Sequence, residues 1–183
     1  MPLCCWRSLS RSDEIIVKQF QVKSKVYLET TILSYLAARK SKDPRVAERQ
    51  SITRRWWDLK RNTFDQYVSV AVEDECARGN PDQAKRRLEL LRGTSILPLN
   101  QTIMDLARKL VVPGGFPKVP EADSVHVAAA TVYQCEYLLT WNIRHIANGE
   151  IRRLTERIIR EHGYQTTTIC TPEELFGLEA VGR

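Results

Sequence analysis

The sequence predicts an α/β fold, a three-layer α/β/α domain around a central parallel five-stranded sheet. Three observations carry this expectation. Short β-type runs alternate with longer helical segments from Lys25 to Phe176, the order required by a parallel sheet covered on both faces. The 183 residues are 43% hydrophobic and 27% charged, a globular composition at a length that suits one domain. No apolar run reaches the roughly 18 residues of a membrane span, so the composition also excludes a transmembrane helix.

The elements follow in order. Lys25-Val26-Tyr27-Leu28 is a short β-type run ending at Glu29. Thr30-Thr31 then offers N-cap hydroxyls to a helix through Ile32, Leu33, Tyr35 and Leu36. Asp43-Pro44 is a cap followed by proline at the first helical position, and predicts a helix to about Lys60. Gln66 to Val70 is the second strand. A short helix through Glu75 ends at Gly79, and Asn80-Pro81 restarts a helix through Ala84, Leu88 and Leu91. Ser95-Ile96-Leu97 is the third strand, and Gln101 to Leu110 the next helix. Pro113-Gly114-Gly115-Phe116-Pro117 breaks the pattern. Glu121 to Gln134 reads as an Ala- and Val-rich helix, Glu136 to Thr140 as the fourth strand, and Ile143 to His162 as a helix broken at Asn148-Gly149. Thr167 to Cys170 is the fifth strand. Thr171-Pro172-Glu173-Glu174 has the form of a capping box opening a last short helix. The expected organisation is an N-terminal extension over residues 1–24, the domain over 25–176, and a tail over 177–183.

The formal net charge is +6, a balance that favours polyanion partners. Half of it lies in residues 1–25, with five Lys/Arg against two acids; the remainder has 23 against 20 and is only mildly basic. The five cysteines, Cys4, Cys5, Cys76, Cys135 and Cys170, form no CxxC pair, which argues against structural zinc. Met1 to Ser12 lacks the apolar core of a secretory signal. Free thiols in a reducing cytoplasm are the expectation.

Ligands of open parallel sheets bind beyond the carboxyl ends of the strands. Glu29 ends the first strand, Glu75 lies one to two turns after the second, and Asn142 follows the fourth. Asp123 opens the helix that leads into the fourth. Oxygen ligands of this kind suit Mg²⁺ or Mn²⁺ rather than zinc. A divalent ion also relieves the repulsion of clustered carboxylates.

Val26-Tyr27-Leu28-Glu29-Thr30-Thr31-Ile32-Leu33-Ser34 resembles the first motif of PIN domains, a strand, an acid, Thr and a small residue. Ser69 to Gly79 is similar to the second. There the family's acid falls six residues after the Ser and four before a Gly, selecting Glu75 over Glu73 and Asp74. Asp123-Ser124-Val125-His126-Val127-Ala128 is similar to the third, and Thr140-Trp141-Asn142 to the fourth, where the family usually has Asp. The resemblance covers about residues 25–176 and is nearest to VapC-type toxins of toxin–antitoxin systems. It implies a Mg²⁺- or Mn²⁺-dependent endoribonuclease, cytoplasmic, dimeric and neutralised by a small antitoxin protein. The implied catalytic and metal residues are Glu29, Glu75, Asp123 and Asn142. Two departures stand out: Glu29 where most PIN domains have Asp, and the neutral Asn142, which brings one negative charge fewer.

Around these residues, Thr31 and Thr140 are read as supporting hydroxyls, and Arg144, Arg152 and Arg153 as RNA contacts. His126 is read as a hydrogen-bonded core histidine, His145 and His162 as surface residues, and Trp56-Trp57 as core or interface. A catalytically weakened module that binds RNA or a protein partner without cleaving is the alternative that Asn142 supports. No GxGxxG or GxxxxGK[ST] loop occurs, which argues against the common nucleotide-binding forms of such folds.

Overall fold

The computed structural model describes residues 22–111 and 121–177. The expectations for residues 1–21, for the Pro113–Pro117 breaker and for the tail from 178 onward lie outside the described residues.

The strands are β1 (Ser24–Leu28), β2 (Phe64–Ser69), β3 (Ser95–Leu97), β4 (Tyr137–Leu139) and β5 (Thr168–Cys170). The helices are α1 (Thr30–Ala37), α2 (Pro44–Leu59), α3 (Val70–Ala77), α4 (Pro81–Leu90), α5 (Gln101–Leu110), α6 (Glu121–Val132), α7 (Gly149–Glu161) and α8 (Pro172–Gly177). All pairings are parallel and the sheet order is β3-β2-β1-β4-β5. The strand order reverses between β1 and β4, which are in register at Leu28 and Leu139. That reversal is where an open α/β sheet leaves a crevice.

Parallel strands covered on both faces need apolar residues on both faces. Val26, Tyr27 and Leu28 of β1 and Leu138 and Leu139 of β4 are accordingly without solvent exposure. Helices α1 to α4 pack against one another, with α8 on α2, while α5 packs on α6 and α7. Right-handed crossovers put these two groups on opposite faces of the sheet, giving the three layers expected. Trp56 and Trp57 belong to the core.

Local chemistry sets most boundaries. Asp43 caps α2 by accepting from the backbone N–H groups of Arg45 and Val46, with Pro44 at the first position. Asn80 and Asn148 cap α4 and α7 in the same way. Gly79 follows α3 with φ +86°. Thr171 and Glu174 exchange two bonds at the head of α8: the Thr171 N–H donates to Glu174 Oε2 at 2.7 Å, and the Glu174 N–H to Thr171 Oγ1 at 3.2 Å.

Three local expectations are corrected. The cap of α1 is Glu29, not Thr30 or Thr31: its backbone is still extended, and its carboxylate accepts the Thr31 N–H at 3.1 Å. Helix α6 stops at Val132 rather than Gln134. Gln134 turns left-handed at φ 54°, with the Cys135 N–H on Ala130 O and its own N–H on Thr131 O, a Schellman end without glycine. Residues 143–147 are turns, not helix: the Ile146 N–H reaches Asn142 O as in a single helical turn, but the Ala147 N–H returns to the same oxygen instead of to Ile143 O.

Arg87 of α4 donates from Nε to Cys76 O at 3.0 Å and from Nη2 to Arg78 O at 2.5 Å. It satisfies carbonyls at the open end of α3, the helix that carries Glu75. Arg87→Ala is expected to lower stability by about 1–3 kcal/mol, read as a fall in the urea midpoint at unchanged slope. Arg87→Lys recovers only part, because one ammonium replaces a two-pronged donor.

Candidate active site

Glu29 stands at the end of β1, directly at the switch point, where its N–H donates to Leu139 O at 3.0 Å. It is 4% exposed, a position hostile to a carboxylate without compensation. Three donors supply it. Thr31 donates from its backbone N–H and its hydroxyl, and Thr140 donates from its hydroxyl at 2.7 Å, all to Oε2. That concentration on one oxygen leaves Oε1 for a ligand. Thr31 Oγ1 also accepts the Trp141 N–H at 2.8 Å, and Thr140 Oγ1 the Asn142 N–H at 2.9 Å. The two threonines thus tie the β1 end to the β4 end.

Glu75 projects from α3 toward Glu29, receiving the Thr30 hydroxyl on Oε2 and facing His126 Nε2 at 3.4 Å on Oε1. Among the described residues, Glu29, Glu75 and His126 form a cluster whose ligand atoms lie within 4.8 Å of one another. Asp123 and Asn142 make a second pair beside it. Asn142 Nδ2 donates to Asp123 Oδ1 at 3.0 Å, and Asn142 Oδ1 accepts the His145 N–H at 3.1 Å. Both are only partly buried, so this pair forms the open side.

The carboxylates convergent at the switch point fit a divalent cation. Glu29, Glu75 and His126 could hold one, and the 3.4 Å between Glu75 Oε1 and His126 Nε2 is close to the roughly 3 Å edge of an octahedral site with bonds of about 2.1 Å.

Burial pushes the Glu29 carboxyl above its usual range, against the His126 charge and the Thr31 and Thr140 hydrogen bonds. Burial likewise raises Asp123, against the Asn142 hydrogen bond and the charges of His126 and His145. For Glu75 burial acts upward, but the His126 and Thr30 hydrogen bonds with the His126 and Arg78 charges outweigh it, leaving the group below its usual value. Burial alone would depress His126; the Glu75 hydrogen bond and the charges of Glu29, Glu75 and Asp123 outweigh it and raise the imidazole above its usual value.

A pH dependence follows. A raised histidine contributes stability that is complete below its unfolded value of about 6.5 and is lost as pH rises through the folded one. Raised Glu29 and Asp123 act in the same direction above the ordinary carboxylate range; the lowered Glu75 acts oppositely, in acid. The melting temperature of the metal-free protein is therefore expected to fall as pH rises from about 6.5 through the raised value of His126. A flat profile over that range, by calorimetry in EDTA, contradicts the assignment. A bound cation replaces the imidazolium charge and should flatten the slope.

The sequence-predicted residues thus divide. Glu29 is joined by Thr31, Thr140 and Glu75; Asp123 is joined by Asn142. Of the arginines, Arg152 pairs in two-pronged fashion with Glu174 and Arg153 with Glu150, so both already have partners, whereas Arg144 is exposed beside Asn142. Sequence reasoning missed Thr30 and the part His126 plays in the cluster. The spacing of His126, one helical turn beyond Asp123, was the available signal. His145, expected at the surface, is partly buried, and its Nδ1 has no hydrogen-bond partner among the described residues.

The parallel sheet of order 3-2-1-4-5, covered on both faces, is a three-layer α/β/α, PIN-like fold. No protein-family model matches the sequence, and no curated protein matches it by sequence. The fold matches the sarcin–ricin-loop-cleaving toxin VapC20 of Mycobacterium tuberculosis with a TM-score of 0.55 at 13% identity, covering 68% of this chain and 95% of that one. Two weaker matches are VapBC2 from Rickettsia felis bound to a promoter DNA fragment (TM-score 0.48, 13% identity, 80% and 97% covered) and VapBC-1 from nontypeable Haemophilus influenzae (0.45, 17%, 81% and 98%). The chain has the fold of VapC20. No helix among the described residues is long and apolar enough to cross a membrane.

Proposed function

We propose that this protein is a metal-dependent endoribonuclease of the VapC toxin type, with Mg²⁺ or Mn²⁺ as cofactor. The observation that carries the reading is the convergence of Glu29 and Glu75 at the β1–β4 switch point, with Asp123 and Asn142 on the open side. A divalent ion bound there would activate water and neutralise charge on the phosphate. Glu29 and Glu75 supply fixed carboxylates, held by Thr31, Thr140 and Thr30 so that little reorganisation is needed. Asp123 borders the entry side, where it would join Glu29 and Glu75 in holding the ion, with Asn142 assisting directly or through water; in-line attack on phosphorus would leave a 5′-phosphate and a 3′-hydroxyl. Arg144, exposed beside Asn142, would meet the RNA backbone; Arg152 and Arg153 would have to exchange their carboxylate partners for phosphate.

The proposal extends to a homodimer, a small antitoxin as partner and a cytoplasmic location, supported by resemblance to VapC-type toxins. It takes residues 25–176 as the functional domain, with 1–24 as an extension and 177–183 as a tail.

Cleavage of a mixed RNA pool in Mg²⁺, Mn²⁺ or EDTA tests the reading. Cleavage in either ion and none in EDTA is expected; no cleavage in any condition rejects it. The catalytically weakened module is favoured by one observation: Asn142 gives its amide to Asp123 where a carboxylate would have added charge. Silence of the natural protein with cleavage gained in Asn142→Asp would select that reading.

A further inference from the structure

The geometry points to His126 as a nitrogen ligand of the bound ion, making the centre a mixed carboxylate–imidazole site that prefers Mn²⁺-class ions to Mg²⁺. This rests on the nuclease reading above and departs from an all-oxygen site.

His126 is 1% exposed, on a helix whose segment from Ser124 to Thr131 is buried throughout. Its ring has two edges and both are accounted for. Nδ1 lies 2.9 Å from Tyr27 Oη, and Tyr27 Oη lies 2.7 Å from Ser69 Oγ. Nε2 faces Glu75 Oε1 at 3.4 Å, inside the cluster with Glu29. That last hydrogen bond is at the long end of the range.

Hydroxyl protons can point either way along such a chain. In one arrangement Ser69 donates to Tyr27, Tyr27 donates to Nδ1, and the ring proton on Nε2 points at Glu75. In the other, Nδ1–H donates to Tyr27, Tyr27 donates to Ser69, and the Nε2 lone pair faces the two carboxylates. The second arrangement is what a metal-bound imidazole needs, because donation by the other ring nitrogen sets both tautomer and orientation. Tyr27 and Ser69 are fully buried at the ends of β1 and β2, so the strands themselves hold the ring edge-on to the cluster. A histidine whose task was only to fill the core would not need its Nε2 edge against Glu75, in a cluster that Glu29 completes.

An imidazole donor changes ion choice. Mg²⁺ favours oxygen ligands and gives up water reluctantly, whereas affinity for nitrogen-containing sites rises along the first-row divalent series. His126 also adds a ligand atom, though no negative charge, where Asn142 is committed to Asp123 and to the 142–145 turn.

Pulsed EPR of Mn²⁺ bound to the full chain without an affinity tag provides the test. Unlabelled protein should show ¹⁴N coupling that converts to a ¹⁵N pattern when histidine alone is labelled. The chain has three histidines, so the coupling should persist in the double variant His145→Ala, His162→Ala, which leaves His126 in place. Tyr27→Phe, checked for folding by circular dichroism, should weaken Mn²⁺ binding by about 10- to 100-fold. Mn²⁺ should bind on the order of tenfold or more tighter than Mg²⁺ in direct competition. Bound Mn²⁺ without histidine coupling, or with coupling lost in the double variant, overturns the inference and leaves the nuclease reading standing. Failure to bind Mn²⁺ at millimolar concentration overturns both.

Discussion

Asp123→Asn is expected to reduce RNA cleavage by about 10²- to 10⁴-fold, the order that a positioned group acting on the attacking water contributes, because a neutral amide holds the ion less strongly, while leaving the fold intact. The two effects separate because of the geometry. Asp123 Oδ1 accepts the Asn142 amide, and an asparagine oxygen at that position can accept the same bond. Burial and the neighbouring Glu75 charge already work against the ionised form of Asp123, so a neutral amide relieves the metal-free protein. Thermal denaturation in EDTA should show an equal or higher melting temperature, and cleavage in Mn²⁺ should be lost. Cleavage at the natural rate removes Asp123 from the site. A large fall in melting temperature would make it a structural residue instead.

Trp141→Ala is expected to cost about 3–5 kcal/mol, as for other large-to-small core substitutions, measured by urea denaturation. Trp141 is 6% exposed and sits between Thr140 and Asn142. Its indole Nε1 donates to Thr53 Oγ1 at 2.7 Å, its ring packs against Tyr35, and the Arg49 guanidinium covers it at 5.4 Å. The residue thus clamps the segment after β4 to both α1 and α2. Trp141→Phe should lose far less, about 1 kcal/mol, because the ring contacts remain and Thr53 still donates its hydroxyl to Arg49 O. A loss below about 1 kcal/mol in Trp141→Ala would mean that the cavity collapses freely. The Trp141 N–H to Thr31 bond belongs to the backbone and survives either change, so Glu29 should keep its anchors. Cleavage that falls in Trp141→Ala would then report displacement of Asn142 rather than of Glu29.

Much of this architecture is legible along the chain because its causes are local. Asp43-Pro44, Asn80-Pro81 and the Thr171–Glu174 box mark helix starts through side chains that reach only two or three residues onward. Ser95–Leu97 and Gln101–Leu110 agree with the sequence reading to the residue. Where reading and structure part, a longer-range partner decides. Thr30 and Thr31 look like caps by composition, but Glu29 takes that position because its own backbone is held in the sheet by Leu139. Residues 143–147 have a plausible helical pattern, but Asn142, engaged by Asp123, bends them into turns.

The candidate site divides along the same line. Glu29 at a strand end and Asp123 at a helix start could be singled out by position, whereas the choice of Glu75 over Glu73 and Asp74 came from the resemblance of its motif. Which side chains meet could not be singled out, because the partners are distant in sequence: Thr140 and Glu29 are 111 residues apart, and His126 and Glu75 are 51 apart. By itself the sequence determined the parallel α/β class, the helix starts and the set of oxygen-bearing residues, since periodicity, caps and strand ends depend on near neighbours. Only the tertiary structure decided that β1 and β4 lie side by side, that the fourth-motif amide serves Asp123, and that an imidazole enters the acid cluster. Those choices depend on the order of strands in the sheet, and burial then forces each polar group left there to find a partner.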